Sequence, residues 1–579
     1  LREKFFTVRM RYHYFMKSPR GMTLIDVVVG TALVLIIFLA LFGALRASLL
    51  LSTLIKNEAT ANAIAQNQIE YIRSLPYASV GTVGGIPSGT IAQNATTTED
   101  KINYGVRTFI DYYDDPADGT GSNDTNGITT DYKRIKVTVS YQLGSKTWTE
   151  TLVSDYAPLG METTLNGGTL QIVVVNASGV AVPGATVTIV NASTSPAVNL
   201  TTFSDSNGMV YLPGAATSTQ YTVSVTKAGY STAQTYARTV SNQNPTPGYL
   251  TVVQSQTTSG TFAIDALASL TMNSFSPIAT STFSDNFANG SKIASYMNTA
   301  AGGGALYLLS GSSSGSAISS TTAPTYLASW GALNATYNTP AGTAVYVHVV
   351  DRTGTLIPDS VLPGNAAGFA SFPVNLQNIS TSTYPALALS ASFTSAASST
   401  PSLTNWSLSY SKGPTPLPNV SFTLTGAKTI GTSGAGAPIY KTTMNGNTGS
   451  TGSVPESLEW DSYSILVPSY DIEDACGIPP YSLSPGSSVS ESLVLGPQTS
   501  NSMLVSVTDS SGNPLSGVSV TLSRSGYSST VTSSSCGNAY FGAISAASDY
   551  TVSISKTGYT TTNATGVAAS GETLYAISF

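Results

Sequence analysis

The sequence predicts an α+β module at the N-terminus followed by a series of all-β sandwich domains. Three observations lead there. Residues 27–45 form a run of nineteen uncharged residues that passes into a helical stripe of apolar side chains. Beyond residue 100 the apolar residues alternate with polar ones, the period of a half-buried strand. Whole segments beyond residue 160 then recur, with their turn glycines at matching places.

Composition narrows the function classes. The chain has 579 residues, a prior of about four domains at roughly 150 residues each. Charged residues make up 9%, against about 25% in an average soluble protein, so Ser and Thr hydroxyls must keep the surface wet. With 41% hydrophobic residues and a net charge of −6, there is material for several cores and no electrostatic footprint for nucleic acid. The histidines are His13 and His348, and the cysteines Cys476 and Cys536. Two imidazoles leave little room for histidine metal sites or Ser-His-Asp catalysis, and two cysteines are too few for a disulfide-rich scaffold.

The first element is a basic leader, Arg2, Lys4, Arg9, Arg11, Lys17 and Arg20 against the single acid Glu3. It is followed by a helix predicted over residues 22–75, whose half at 22–45 can cross a bilayer. Positive charge ahead of the span places the N-terminus in the cytoplasm and the remaining chain outside. Ala61, Ile64, Ala65, Gln68, Ile69, Ile72 and Leu75 continue the helix as one stripe until Pro76, so half of the helix is expected to lie in a membrane or filament core and half on a globular head. Gly21 directly before the apolar run, Asp26 five residues later and the short basic leader together resemble the prepilin processing site of the type IV pilin family. The stretch AIAQNQIEYIRSL is similar to the second helical half in minor pilins and secretion pseudopilins. The resemblance implies an α+β pilin module, with the long N-terminal helix packed on an antiparallel sheet. It also implies cleavage between Gly21 and Met22 by a prepilin peptidase, N-methylation of Met22, and a role for Asp26 in subunit assembly through a neighbouring subunit's amine. The family's usual Phe and Glu are replaced here by Met22 and Asp26. The chain opens with Leu1, so an alternative or upstream start is expected, and a start at Met16 gives the short leader MKSPRG.

Residues 76–160 read as the head. The segments INYGVRTFIDYY, YKRIKVTVSYQL and TWTETLVSDYA alternate with period two and predict an antiparallel sheet. The loop after the first carries Asp114, Asp115, Asp118, Asp124 and Asp131 among Gly and Asn. Such a loop is similar to the calcium-holding loop of some pseudopilins, and hard cations want many carboxylate oxygens. A solvated turn cluster is the other reading, because Asp, Asn and Gly favour turns without any metal.

The chain from residue 161 repeats itself. LQIVVVNASGVAVPGATVTIVN (170–191) resembles MLVSVTDSSGNPLSGVSVTLSR (503–524), and YTVSVTKAGY (221–230) resembles YTVSISKTGY (550–559). A more divergent copy begins at PLPNVSFTLTG (416–426). The pattern is similar to the carboxypeptidase regulatory-like domain, a transthyretin-like β-sandwich that serves as a spacer or stalk. The resemblance places sandwiches at 161–262, 413–498 and 499–579, with Tyr221 and Tyr550 filling their cores. Between the first two, residues 263–412 carry short strands and resemble jelly-roll modules, with Trp330, Trp406 and Tyr410 as core markers and His348 facing solvent. Export would permit Cys476 and Cys536 to bridge adjacent copies, two separate thiols being the alternative.

Enzymatic signatures are lacking. The G-x-S-x-G match at Gly311–Gly315 sits in a serine-rich run without the strand-turn-helix context of a nucleophile elbow, and no Walker loop, dinucleotide fingerprint or H-E-x-x-H occurs. The expected function is that of a minor or tip type IV pilin-like subunit that displays β-sandwich modules at the cell surface, without catalysis or an organic cofactor. Its partners would be the prepilin peptidase, other pilins, the inner-membrane assembly platform, the membrane itself and a surface glycan or other cell-surface ligand. A secretion pseudopilin and a membrane-anchored carbohydrate-binding protein outside any filament are the competing readings.

Overall fold

The computed structural model describes residues 24–117, 119, 128–159, 167–396, 399–477 and 479–579. They divide into two compact units. The first holds residues up to 173 together with 186–223 and 249–261, and the second holds 174–185, 224–248 and 262–579.

In the first unit, α1 (Leu24–Arg73) is a single helix of 50 residues, about 75 Å long at 1.5 Å per residue. Its two halves meet different surroundings. Leu33, Ile36, Phe38 and Phe42 are exposed, whereas Ala61, Ala65, Ile69 and Ile72 are buried. The buried set belongs to one core with Val106 and Ile110 of β2 (Ile102–Tyr113) and Ile135, Val137 and Val139 of β3 (Tyr132–Leu143). These strands form an antiparallel sheet that also holds β1 (Asn94–Glu99) and β4 (Lys146–Tyr156), in the order β1-β2-β3-β4. The period-two pattern explains the register: the even residues of β2 from Tyr104 to Ile110 face the core, and its odd residues Arg107, Phe109, Asp111 and Tyr113 take the opposite face. Below the helix the chain is tied down by Lys133, whose buried ammonium donates to the carbonyls of Tyr77 and Val80, each at 2.8 Å. Those bonds satisfy a charge that burial would otherwise penalise.

The first sandwich is built from two sheets. One holds β5 (Gly167–Val175), β8 (Met209–Ala216) and Thr257–Ala263, and the other holds β6 (Thr186–Asn191), β7 (Val198–Phe203), β9 (Ser218–Thr226) and Ala233–Gln234. The C-terminal sandwich follows the same plan, with Ser502–Thr508 between Asn538–Phe541 and Glu572–Ser578, and a second sheet ordered Tyr527–Thr532, Ser519–Arg524, Ala547–Ser555, Thr562–Ala569.

The middle sandwich departs from the sequence reading. Its central strand is Ala268–Ser276, which pairs antiparallel with Ser453–Leu458 and parallel with Ser488–Pro497. Ala268, Leu270 and Met272 share its core with Phe422, Leu424, Tyr463 and Leu493. The expected boundary between 263–412 and 413–498 is therefore replaced by an insertion. In the outer copies a short turn follows the central strand and closes with the bridges Val175–Ala181 and Thr508–Pro514. In the middle copy the corresponding pairs are Phe275–Pro416 and Ser276–Thr415, and residues 277–414 stand where the turn would be. The inserted module closes on itself, because its first strand, Ala279–Asp285, pairs with its last, Ser402–Lys412. It has two sheets around a core that holds Trp330 and Trp406, both fully buried, with Tyr410 packed against them. Adjacent chain ends are the geometry that lets one domain accept another in a turn.

Candidate functional site

Three places carry the candidate residues. The first is the start of α1. Gly21 and Met22 lie outside the described residues, and Asp26 falls in the first turn of the helix. Among the described residues, α1 is the one helix long and apolar enough to cross a membrane, with a mean hydropathy of 2.8 in its most apolar window.

The second is the acidic loop. Asp114 is buried at the end of β2, and the Asp131 carboxylate accepts the backbone N–H of Asp115 at 2.7 Å. The Asp115 carboxylate in turn accepts the N–H of Ala117 at 3.0 Å. Asp118 and Asp124 lie outside the described residues. Among the described residues no group of three or more His, Cys, Asp or Glu is placed to hold a metal ion. The local bonds are those of an Asx-type turn.

The third place is a cleft on the face of the head sheet opposite the helix, which the sequence did not announce. Phe109, Asp111 and Tyr113 form its floor, and Phe203, Asn207 and Tyr211 of the first sandwich form its wall, around a volume of about 790 Å³. The two sides are fastened together. Asn199 donates its N–H to the Gly84 carbonyl at 2.9 Å, and the Gln93 amide donates to the Asn199 carbonyl at 2.8 Å. Arg107 donates to the Thr201 carbonyl and lies 4.7 Å from the centre of the Phe203 ring. Desolvation pushes the Asp111 carboxyl up to about 7, only partly offset by the positive charge of Arg134. Arg134 itself is engaged by Asp155 at 2.7 Å and lies 3.5 Å from the centre of the Tyr113 ring. The rim is held by Asp205, whose carboxylate accepts the N–H groups of Asn207 and Met209.

The remaining candidates are structural. Tyr221 and Tyr550 are fully buried, and each donates its hydroxyl to a carbonyl five residues upstream, Ala216 and Ser545, at 2.9 Å. In the middle copy the Tyr463 hydroxyl donates to a carbonyl four residues upstream, that of Glu459, at 3.1 Å. His348 is half-buried rather than facing solvent, with Nδ1 2.7 Å from the Asn365 carbonyl and Nε2 3.2 Å from the Ser392 hydroxyl. Ser313, the serine of the G-x-S-x-G match, directly precedes the strand Ser314–Ser319, not a helix.

Cys476 and Cys536 form a disulfide between the middle and C-terminal sandwiches, their Cα atoms 4.9 Å apart. Polar bonds surround it. The Asn538 amide donates to the Asp474 carboxylate and the Ala475 carbonyl, the Tyr540 hydroxyl donates to Asp471 at 2.7 Å, and the Glu572 carboxylate accepts the N–H of Ile472 at 2.7 Å. All the middle-copy groups lie on or beside the strand Tyr470–Ala475, which pairs with Ser488–Pro497 as an edge that the outer copies lack.

The plan of the C-terminal sandwich agrees with its sequence likeness. Residues 502–578 match the model of the carboxypeptidase regulatory-like domain. The match covers the whole of this regulatory-like sandwich and none of the head. A comparison with curated proteins finds no match. Among solved structures, the chain is similar to the TIE protein of Bacillus anthracis at 11% identity, over 84% of this chain and 72% of that one, with a TM-score of 0.16. BcpA, the major pilin subunit of Bacillus cereus, is 10% identical over 71% of this chain and 98% of its own, with a TM-score of 0.13. The shaft pilin SpaA of Lactobacillus rhamnosus GG is 13% identical over 29% and 86%, with a TM-score of 0.11. At these scores the functional reading rests on the chain's own residues.

Proposed function

We propose that this chain is a minor or tip subunit of a type IV pilus or related pseudopilus, and that it works by assembly rather than catalysis. The observation that supports the reading is the division of α1 into an exposed apolar half and a half embedded in the core of a sheet. A simple anchor needs only the first. A filament subunit needs both, because the exposed half must pack with neighbours while the other half holds the head at a fixed distance. In this reading a prepilin peptidase cuts after Gly21, the new amine of Met22 is N-methylated, and Asp26 pairs with the amine of an adjacent subunit, since a carboxylate in an apolar bundle must find a partner. The inner-membrane platform and other pilins are the partners. The sandwiches are then stalk and display modules at the cell surface, and their bulk suits a tip or low-abundance position.

The mature N-terminus of surface-sheared material tests the proposal. Cleavage between Gly21 and Met22, and loss of the chain from the sheared fraction in Gly21→Val, are the expected results. A Gly21→Val chain that reaches the sheared fraction uncleaved rejects filament assembly by this route. Loss of the leader takes six of the 24 basic residues and one of the 30 acids, so the mature chain carries a net charge of −11.

A further inference from the structure

We infer that the cleft between the head sheet and the first sandwich is a binding site for a short, neutral oligosaccharide. The inference goes beyond assembly and does not depend on how the N-terminus is processed.

Size comes first. About 790 Å³ falls within the roughly 300–1,000 Å³ of small-ligand sites and is too small for a folded partner. The chemistry of the walls then selects among small ligands. Five aromatic residues line the space, Phe109, Tyr112 and Tyr113 from β2 and Phe203 and Tyr211 from β7 and β8, interleaved with the Asp111 carboxyl and the Asn207 amide. A pyranose has an apolar C–H face and a rim of hydroxyls. Aromatic rings cover the first, and carboxylate and amide groups accept and donate to the second. A lipid chain would leave the carboxyl and amide without partners in a desolvated space, which is costly.

Charge disfavours acidic ligands. Asp111, Asp114 and Asp205 all line the cleft, and the nearest cations are engaged: Arg107 at the Thr201 carbonyl and Arg134 at Asp155. An acidic sugar would therefore meet more carboxyls than positive charge, since Arg134 is paired with Asp155 and Arg107 alone stands against Asp111, Asp114 and Asp205. The raised affinity of Asp111 for its proton, caused by burial, agrees with an enclosed wall. Pre-organisation supports the assignment as well. The bonds that join Gly84, Gln93 and Arg107 with Asn199 and Thr201 hold the two walls at a fixed spacing, so a ligand would not have to assemble the cleft before entering it.

The test uses the full chain in a non-glycosidic detergent, with maltotriose, cellotriose, triacetylchitotriose and trigalacturonate as probes, read by saturation-transfer NMR and calorimetric titration. At least one neutral trisaccharide is expected to bind, with saturation passing to its ring C–H protons. Binding should weaken at least tenfold in Phe203→Ala and in Asp111→Asn, the second of which keeps the shape of the site and replaces the carboxyl by an amide. Trigalacturonate should not bind. The assignment is overturned if none of the neutral probes binds, if their binding survives both substitutions, or if the acidic probe binds more tightly than they do. None of these outcomes bears on cleavage at Gly21, so failure here is separable from failure of the assembly reading.

Discussion

The middle and C-terminal sandwiches share a strand plan but not a continuous chain. In the C-terminal copy the central strand Ser502–Thr508 is followed by a turn at Asp509–Asn513, closed by bonds to the Asp509 carboxylate. In the middle copy a complete two-sheet module stands between the central strand and the rest. The core does not register the difference, since Leu270 and Met272 pack as Met503 and Val505 do. What the copies share is therefore pairing in space, and a turn can be exchanged for a domain provided the two chain ends stay within one ladder rung of each other. Asn419 makes the same point locally. It adopts φ +59 where the outer copies have Gly184 at +68 and Gly517 at +70, because Asn is the side chain that best tolerates the left-handed region.

The comparison breaks most sharply at Leu270. If the central strand belongs to the middle sandwich, Leu270→Ala should destabilise that sandwich by about 2–5 kcal/mol and leave the inserted module's own unfolding transition in place. Calorimetry of the full chain separates the two, and loss of the insert's transition instead would return the strand to the insert. Next in size is the joint. The disulfide closes a separation of 60 residues, and Cys476→Ser with Cys536→Ser should cost about 2–4 kcal/mol of the coupled stability of the two copies, visible as a lower denaturant midpoint for both; unchanged midpoints would make the bridge idle.

A smaller effect is expected at Asn419. Substitution by Gly should move stability by no more than a few tenths of a kcal/mol, whereas Asn419→Val should cost about 1–2 kcal/mol, and equal midpoints for the two variants would contradict the left-handed turn.

The smallest concerns pH. Burial raises the Glu491 carboxyl above its ordinary range. A raised carboxyl means that the folded state binds the proton more tightly than the unfolded one, so stability is highest below the unfolded value of about 4.3 and falls as pH climbs through the folded value. The share of the slope due to Glu491 should stay below the roughly 1.4 kcal/mol per pH unit of one fully shifted group. Glu491→Gln should lessen the slope above about pH 4, the raised carboxyls of Glu473 and Glu572 supplying the remainder, and an unchanged slope would exclude Glu491 as a source.

Local pattern is readable wherever a segment supplies its own period. The alternation in 102–113 and 132–143 gives strands with those bounds, and the stripe Ala61, Ala65, Ile69, Ile72 gives the buried face of α1. The repeats are readable through their turn residues, and for the same reason the strand Ala268–Ser276 escapes notice: its turn has been replaced, so nothing beside it marks it as part of a repeat. The cleft is invisible in sequence because Asp111 and Phe203 are 92 positions apart and meet only through the face of β2 turned away from the helix. Each looks like an ordinary outward residue of an alternating strand. The extra edge strand Tyr470–Ala475, which carries the joint, reads as the end of a copy because its Asp and Glu residues interrupt the apolar alternation.

The parallel pairing of first and last strands has a mechanical consequence. In the middle sandwich Ala268–Ser276 runs alongside Ser488–Pro497 over seven paired residues, and in the C-terminal one Ser502–Thr508 runs alongside Glu572–Ser578 over seven. Because the strands are parallel, the points where the chain enters and leaves each sandwich lie at opposite ends of this pair. A pull along the chain therefore loads the rungs in shear, all together, instead of unzipping them one at a time. The inserted module, whose ends meet at a single pair of rungs, hangs beside that load path and would keep its shape while its carrier is under tension.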